Sequence, residues 1–255
     1  VSSEDAGPEL PSEAGERDPL IGSTLKDTYR VTRRVGEGGM GRVYEAEHVR
    51  LRRRVAIKVL LGQYSSHPEV IARFRREAEV IGSLGHPHIV QVVDVDETDD
   101  GEQFLVMEFL EGETLADRLE REPRLPLLEA LRITSQVASA LAGTHEKEIV
   151  HRDLKPENIF LVHISGEKDF VKVLDFGISK VRSGGPKLTA HNVVIGTPAY
   201  MAPEQARAES NVDHRADQFA LAAMTYEMLA GISPFPGDDP MDVMAQVVVC
   251  RPQPL

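Results

Sequence analysis

Between Arg53 and Leu61 the sequence RRVAIKVLL alternates strictly. Val55, Ile57 and Val59 share one face, and Ala56, Lys58 and Leu60 share the other. This period of two predicts a half-buried strand. TYRVTRRV (28–35) and RVYEAEHV (42–49) predict two strands before it, and IVQVVDV (89–95) and QFLVMEF (103–109) two after it. One helix interrupts them. In HPEVIARFRREAEVIGSLG (67–85), Val70, Phe74, Ile81 and Leu84 fall on one face, with Pro68 near the start and Gly85 past the end. After Gly112 the spacing turns helical. Leu127, Leu131, Thr134, Ala138, Leu141 and His145 step by four and three, predicting an apolar stripe, and HRADQFALAAMTYEMLAG predicts a helix ending at Gly231. A strand-rich part followed by a helical part predicts an α+β chain of two packed lobes, about 28–110 and about 111–255, with a ligand cleft between them.

Composition narrows the classes. At 255 residues, 41% apolar and 27% charged, the chain can bury a sizeable core. Its net charge of −12 argues against nonspecific binding to nucleic acid or anionic membranes. A single cysteine, Cys250, excludes an internal disulfide framework and a cysteine-based zinc site. Residues 1–27 lack apolar periodicity and carry Glu4, Asp5, Glu9, Glu13, Glu16 and Asp18 against Arg17, so they are expected to form a disordered acidic leader. The longest apolar stretch, FALAAMTYEMLAGI, contains Glu227 and is too short for a membrane span, which makes the cytoplasm the expected compartment. Val1 in place of Met suggests a piece of a longer product, whose remainder could tether it to a membrane.

Four motifs carry chemistry. VGEGGMGRV (35–43) spaces Gly36, Gly38 and Gly41 so that backbone N–H groups can approach a phosphate. A dinucleotide-binding dehydrogenase needs a helix directly after such glycines, whereas here a strand pattern follows. Lys58, in an apolar strand, requires an acid or an anion as partner. Glu77, on the apolar stripe of the following helix, is the candidate acid. HRDLKPENIF (151–160) crowds Asp153, Lys155 and Asn158 together: a proton acceptor, a cation for a phosphoryl oxygen and an oxygen ligand for Mg²⁺. VLDFG adds Asp175 at the end of another apolar strand, a second metal ligand.

Together with Ala202–Pro203–Glu204, these motifs make the chain resemble a eukaryotic-like bacterial serine/threonine protein kinase from residue 28 to about residue 250. The resemblance implies a bilobal kinase fold and ATP with Mg²⁺ as cofactors. It implies that Val35, Gly36, Glu37, Gly38, Gly39, Met40, Gly41, Arg42 and Val43 cover the phosphates, and that Lys58 contacts them while paired with Glu77. Val43, Ala56 and Phe160 would enclose the adenine, Met107 would lie behind it, and Glu108 and Leu110 would offer hinge hydrogen bonds. Asp153 would accept the substrate proton, Lys155 would steady the transferring group, and Asn158 and Asp175 would hold Mg²⁺. Asp217 resembles the helix aspartate that braces the catalytic loop.

The implied substrate is a protein with a serine or threonine acceptor, docked by GTPAYMAPE (196–204), and a second copy is a candidate partner for trans-autophosphorylation. Arg152 would bind a phosphate on the activation segment, with Thr189 the first candidate and Ser179 and Ser183 the others. The competing class is a nucleotide-binding pseudokinase or an inactive fragment. Lys58, Asp153 and Asp175 argue against a pseudokinase. Glu204, whose family partner would lie beyond Leu255, is expected to be an unpaired buried charge. His86, His88, Met224 and Met228 are expected to be structural, and Cys250 an inert helix residue.

Overall fold

The computed structural model describes residues 18–38, 41–65, 67–164, 166–175 and 198–255. The small lobe contains strands β1 (Thr24–Leu25), β2 (Tyr29–Gly38), β3 (Gly41–His48), β4 (Arg53–Leu60), β5 (Val92–Glu97) and β6 (Gln103–Glu108). They form one sheet in the order β1-β2-β3-β4-β6-β5. A single turn, α1 (Gly62–Ser65), and helix α2 (Pro68–Gly82) connect β4 to β5. The alternation read in β4 is real: Val55, Ile57 and Val59 are buried in a core with Tyr29, Val31, Tyr44, Phe104 and Val106. Burying these branched and aromatic side chains on one sheet face supplies the main stabilisation of this lobe.

The large lobe contains β7 (Gly112–Thr114), α3 (Leu115–Arg121), α4 (Leu127–His145), β8 (Ile159–Ile164), β9 (Glu167–Val173), α5 (Pro203–Ala206), α6 (Arg215–Ala230) and α7 (Pro240–Val249). Strands β7, β8 and β9 form a second, antiparallel sheet. Local chemistry sets several ends. Thr114 caps α3 by accepting from Asp117 N–H, while Asp117 accepts from Thr114 N–H. Gly231 closes α6 in the left-handed region at φ 77°. Gly112 is required where the small lobe passes into the large one, since a Cβ there would lie 2.0 Å from Leu161 O.

The lobes are joined by more than this crossing. Val90 N–H donates to Val173 O and Val173 N–H to His88 O, so residues 88–90 pair with β9. His88 Nδ1–H donates to Val171 O. Ile81 and Ile89 enter the core of the large lobe beside Ile133, Val137, Leu154, Ile159 and Met224. These contacts fix the strand leading to Asp175 relative to α2 and β4.

Three expectations need correction. The leader does not extend to residue 27: β1 pairs with β2, Leu25 is buried, and Leu20 packs on the small-lobe core. Two strand residues and two leucines anchor this stretch, too few to produce a periodic signal. Residues 1–17 lie outside the described residues. The stripe on α4 is also rotated. Leu127, Leu131 and Ala138 are exposed, while Ala130, Ile133, Val137, Ala140, Leu141 and Thr144 are buried. The contacting face uses small residues that let α6 approach closely, so the leucines misled. Cys250 is exposed just past α7, in the left-handed cap position, and is not within the helix.

Candidate active site

The antiparallel register aligns the cleft residues before any ligand is considered. Val43 pairs with Lys58 across β3 and β4, and Ala56 pairs with Met107 across β4 and β6. Phe160 on β8 faces Thr114 on β7. Glu108 N–H is already used by Gln91 O at 3.0 Å, so its carbonyl is the hinge group left to offer. Leu110 N–H and C=O make no hydrogen bond among the described residues. The Glu108 side chain accepts from Lys172 Nζ at 2.6 Å and Gln91 N–H at 2.8 Å, tying the hinge to β9.

The glycine hairpin divides into two kinds of position. A Cβ on Gly41 would lie 2.6 Å from Val59 O, so this glycine lets β3 approach β4. A Cβ on Gly36 or Gly38 would meet nothing within 4 Å among the described residues. Packing within the chain therefore does not demand these two glycines, whereas a phosphate against the bare backbone would. Val35 and Glu37 are exposed, and Arg42 and Val43 half-buried. Gly39 and Met40 lie outside the described residues.

The loop bearing Asp153 is held from below. Asp217 on α6, 1% exposed, accepts at Oδ2 from His151 N–H and His145 Nε2–H, and at Oδ1 from Arg152 N–H, each at 2.8 Å. His151 is fully buried; its Nε2–H donates to Leu174 O at 2.9 Å, which leaves Nδ1 to accept from Asp153 N–H. Asn158 Nδ2–H donates to Asp153 O at 2.7 Å, and Leu174 N–H donates to Asn158 O at 2.8 Å. One lattice thus ties together the residues around Asp153, Asn158 and Asp175. Arg152 and Asp175 sit at positive φ, 63° and 41°. Such positions are strained for side chains larger than glycine and persist only where the surroundings enforce them.

Asp175 Oδ1 lies 2.6 Å from Lys58 Nζ. Crowding of the carboxylate raises its pKa, but the charge and hydrogen bond of Lys58 outweigh this, with smaller pulls from His151 and Lys155. The net effect holds Asp175 below its ordinary range, ionised and able to bind a cation. Asn158 Oδ1 accepts no hydrogen bond among the described residues, because Nδ2 makes the contact to Asp153. A carboxylate and an amide oxygen are hard donors suited to Mg²⁺, so the residues fit that ion. Among the described residues no group of three or more His, Cys, Asp or Glu side chains could hold a metal ion.

Beside Asp153 and Lys155 a hollow is lined by Tyr200, Met201, Gln205 and Asp217. Gln205 spans it, accepting from Ala202 N–H at 3.0 Å and donating to Arg152 O at 2.9 Å. Tyr200 O–H donates to Glu227 on α6. The Glu227 carboxyl is raised mainly by burial and further by Glu157, against the Tyr200 hydrogen bond. Neither Gln205 nor Tyr200 was singled out in the sequence, since each acts through a contact tens of residues away. Arg152 donates to Val212 O at 3.1 Å, and its buried Nε has no hydrogen-bond partner among the described residues. Glu204 is half-buried, not buried as expected, and forms no ion pair among the described residues. The Glu77 side chain and residues 176–197, with Ser179, Ser183, Thr189 and Thr197, lie outside what is described.

Comparison with known proteins bears on the family and the fold. The family model for the protein kinase domain matches residues 29–252. The chain is 41% identical over 242 residues to the serine/threonine-protein kinase pkn3 of Myxococcus xanthus, covering 94% of this chain and 44% of that protein. It is 42% identical over 241 residues to PknA of Mycobacterium tuberculosis, covering 93% and 54%. It therefore spans about half or less of the length of these relatives. The solved kinase domain of Mycobacterium tuberculosis PknI, a mutant form, superposes with a TM-score of 0.65 at 34% identity, over 84% of this chain and 78% of that one. Among the described residues no helix is long and apolar enough to cross a membrane. The chain belongs to the protein kinase family, among the eukaryotic-like serine/threonine kinases of bacteria.

Proposed function

We propose that this chain transfers the γ-phosphoryl group of ATP, with Mg²⁺, to a serine or threonine hydroxyl of a protein. The observation that carries this reading is the single lattice that joins Asp153, Asn158 and Asp175 and sets Asp175 against Lys58. The substrate hydroxyl oxygen attacks the γ-phosphorus as the bond to the ADP oxygen breaks, and the hydroxyl proton passes to Asp153. Lys155 and Lys58 offset charge on the phosphoryl oxygens. Val43, Ala56, Met107 and Phe160 enclose the base, and Glu108 and Leu110 bind its edge. Glu77 orients Lys58. Mg²⁺, held by Asn158 and Asp175, supplies charge neutralisation on the phosphates.

The acceptor segment lies along Tyr200, Met201 and Gln205. A second copy serves as both donor and acceptor for trans-autophosphorylation, and Thr189, once phosphorylated, is bound by Arg152. The buried Arg152 Nε, which has no partner among the described residues, supports that last assignment.

The test supplies γ-labelled ATP, MgCl₂ and casein to the full chain. Label on serine or threonine that disappears with EDTA is the expected result. Tight ATP binding with no label transferred, to casein or to the chain itself, would favour the nucleotide-binding scaffold instead.

A further inference from the structure

Residues 18–25 lie before the family match and before the glycine hairpin, yet they are built onto it. Asp18 Oδ1 accepts from Leu20 N–H at 3.2 Å, and Asp18 O accepts from Ile21 N–H. Gly22 N–H donates to Val31 O and Val31 N–H to Ser23 O, which carries the segment onto β2. The other carboxylate oxygen, Oδ2, accepts from Tyr44 O–H at 2.8 Å. Tyr44 is fully buried in the middle of β3. Its phenol is pushed up to about 12, first by burial and then by Asp18, against an opposing pull from Arg42. It therefore stays protonated and keeps donating to Asp18.

Arg42 belongs to the hairpin itself. Tyr44 first, then Asp18 and Glu37, favour its charged form, against some desolvation. Glu37 is its cross-strand partner near the hairpin tip and pairs with Arg34 at 3.0 Å. The Arg42 Nε is buried with no hydrogen-bond partner among the described residues. Negative and positive groups thus alternate from residue 18 to the turn: Asp18, Arg42, Glu37, Arg34. Arg42 and Tyr44 share one face of β3, while Val43 between them lies opposite Lys58.

We propose that residues 18–25 are a clasp on the back of the glycine hairpin, with Asp18 a positioning residue that acts through Tyr44 to set the backbone that binds the phosphates. This rests on the reading that Gly36 to Val43 cover ATP. A clasp behind a phosphate-binding backbone affects ligands that have phosphates and leaves those without them alone. General support of the lobe would affect both.

The test measures affinity of the full chain for Mg-ATP and for adenosine, by calorimetry, in the parent, Asp18→Asn, Tyr44→Phe and Asp18→Glu. The expected result is about threefold to tenfold weaker Mg-ATP binding in Asp18→Asn and Tyr44→Phe, the range for losing one ordinary hydrogen bond. Adenosine affinity stays at the parent value in both, and Asp18→Glu recovers most of the Mg-ATP affinity. If Asp18→Asn unfolds, Tyr44→Phe, which keeps the buried ring, decides. Equal losses for both ligands, or no loss for Mg-ATP, would overturn the clasp. A parent chain that binds Mg-ATP no better than adenosine would overturn the underlying reading of the hairpin, and the clasp with it.

Discussion

Lys58 Nζ lies 2.6 Å from Asp175 Oδ1, a contact from the middle of β4 in the small lobe to the residue two past the end of β9 in the large lobe. The two charges are the amine assigned to the phosphates and the carboxylate assigned to the metal, so each is held where both ligands must meet. The same pair explains why Asp175 remains ionised despite the crowding around it.

Replacing Lys58 with methionine removes this attraction. Phosphotransfer is expected to fall about a hundredfold or more, the usual loss when one transition-state donor is removed. The Asp175 pKa, now depressed, is then expected to rise. Mg²⁺ binding in Lys58→Met should consequently weaken at a higher pH than in the parent as the solution is acidified. Mg²⁺ titrations across a pH series would show the shift, and superimposable acid limbs would contradict it.

Asp217 accepts three hydrogen bonds, from His151 N–H, Arg152 N–H and His145 Nε2–H. In Asp217→Asn the amide NH₂ must face one of these donors, so at least one contact becomes repulsive. A loss of about 2–4 kcal/mol in stability is expected, as for other buried hydrogen bonds to a charge broken on one side. Where the protein remains folded, kcat should fall roughly a hundredfold because Asp153 is displaced. Chemical denaturation together with initial rates would check both.

Glu113 predicts a pH effect on stability. Arg121 is the main cause holding its pKa at about 2, against some burial, with Arg118 adding to it; the ordinary value is 4.5. A depressed carboxylate contributes stability that is present above its unfolded pKa and lost as pH falls through its folded one. Stability should therefore decline between about 4.5 and about 2 as Glu113 protonates. The Glu113→Gln protein should be less stable at neutral pH and show a flatter acid limb. Urea midpoints against pH would reveal any failure of this.

Gly112 sits at φ +152° with its hydrogen toward Leu161 O. Gly112→Ala would force β7 away from β8 at the hinge. A destabilisation of about 1–3 kcal/mol is expected, as for other overpacked sites, and a melting temperature equal to that of the parent would contradict it.

The candidate site was more legible in the sequence than the contacts that support it. Lys58, Asp153, Asn158 and Asp175 were legible because their chemistry is compressed into short spacings, and Asp217 because one motif implied it. The strands were legible because branched residues alternate in β4 and an unbroken apolar run marks β6. The α4 face was misread by one position, because its buried side uses Ala130, Ala140 and Thr144 while Leu127, Leu128 and Leu131 point to solvent. Small residues that permit close helix packing carry little hydrophobic signal. Asp18 was invisible for a different reason: its partner, Tyr44, is 26 residues away. No local pattern encodes such a contact.

The central claim is that Asp153 takes the substrate proton within a site whose nucleotide binding does not depend on it. The most direct measurement pairs Mg-ATP affinity with label transfer to casein in the parent and in Asp153→Asn. Unchanged affinity with transfer reduced at least a hundredfold is expected. Transfer at the parent rate by Asp153→Asn would contradict the claim outright.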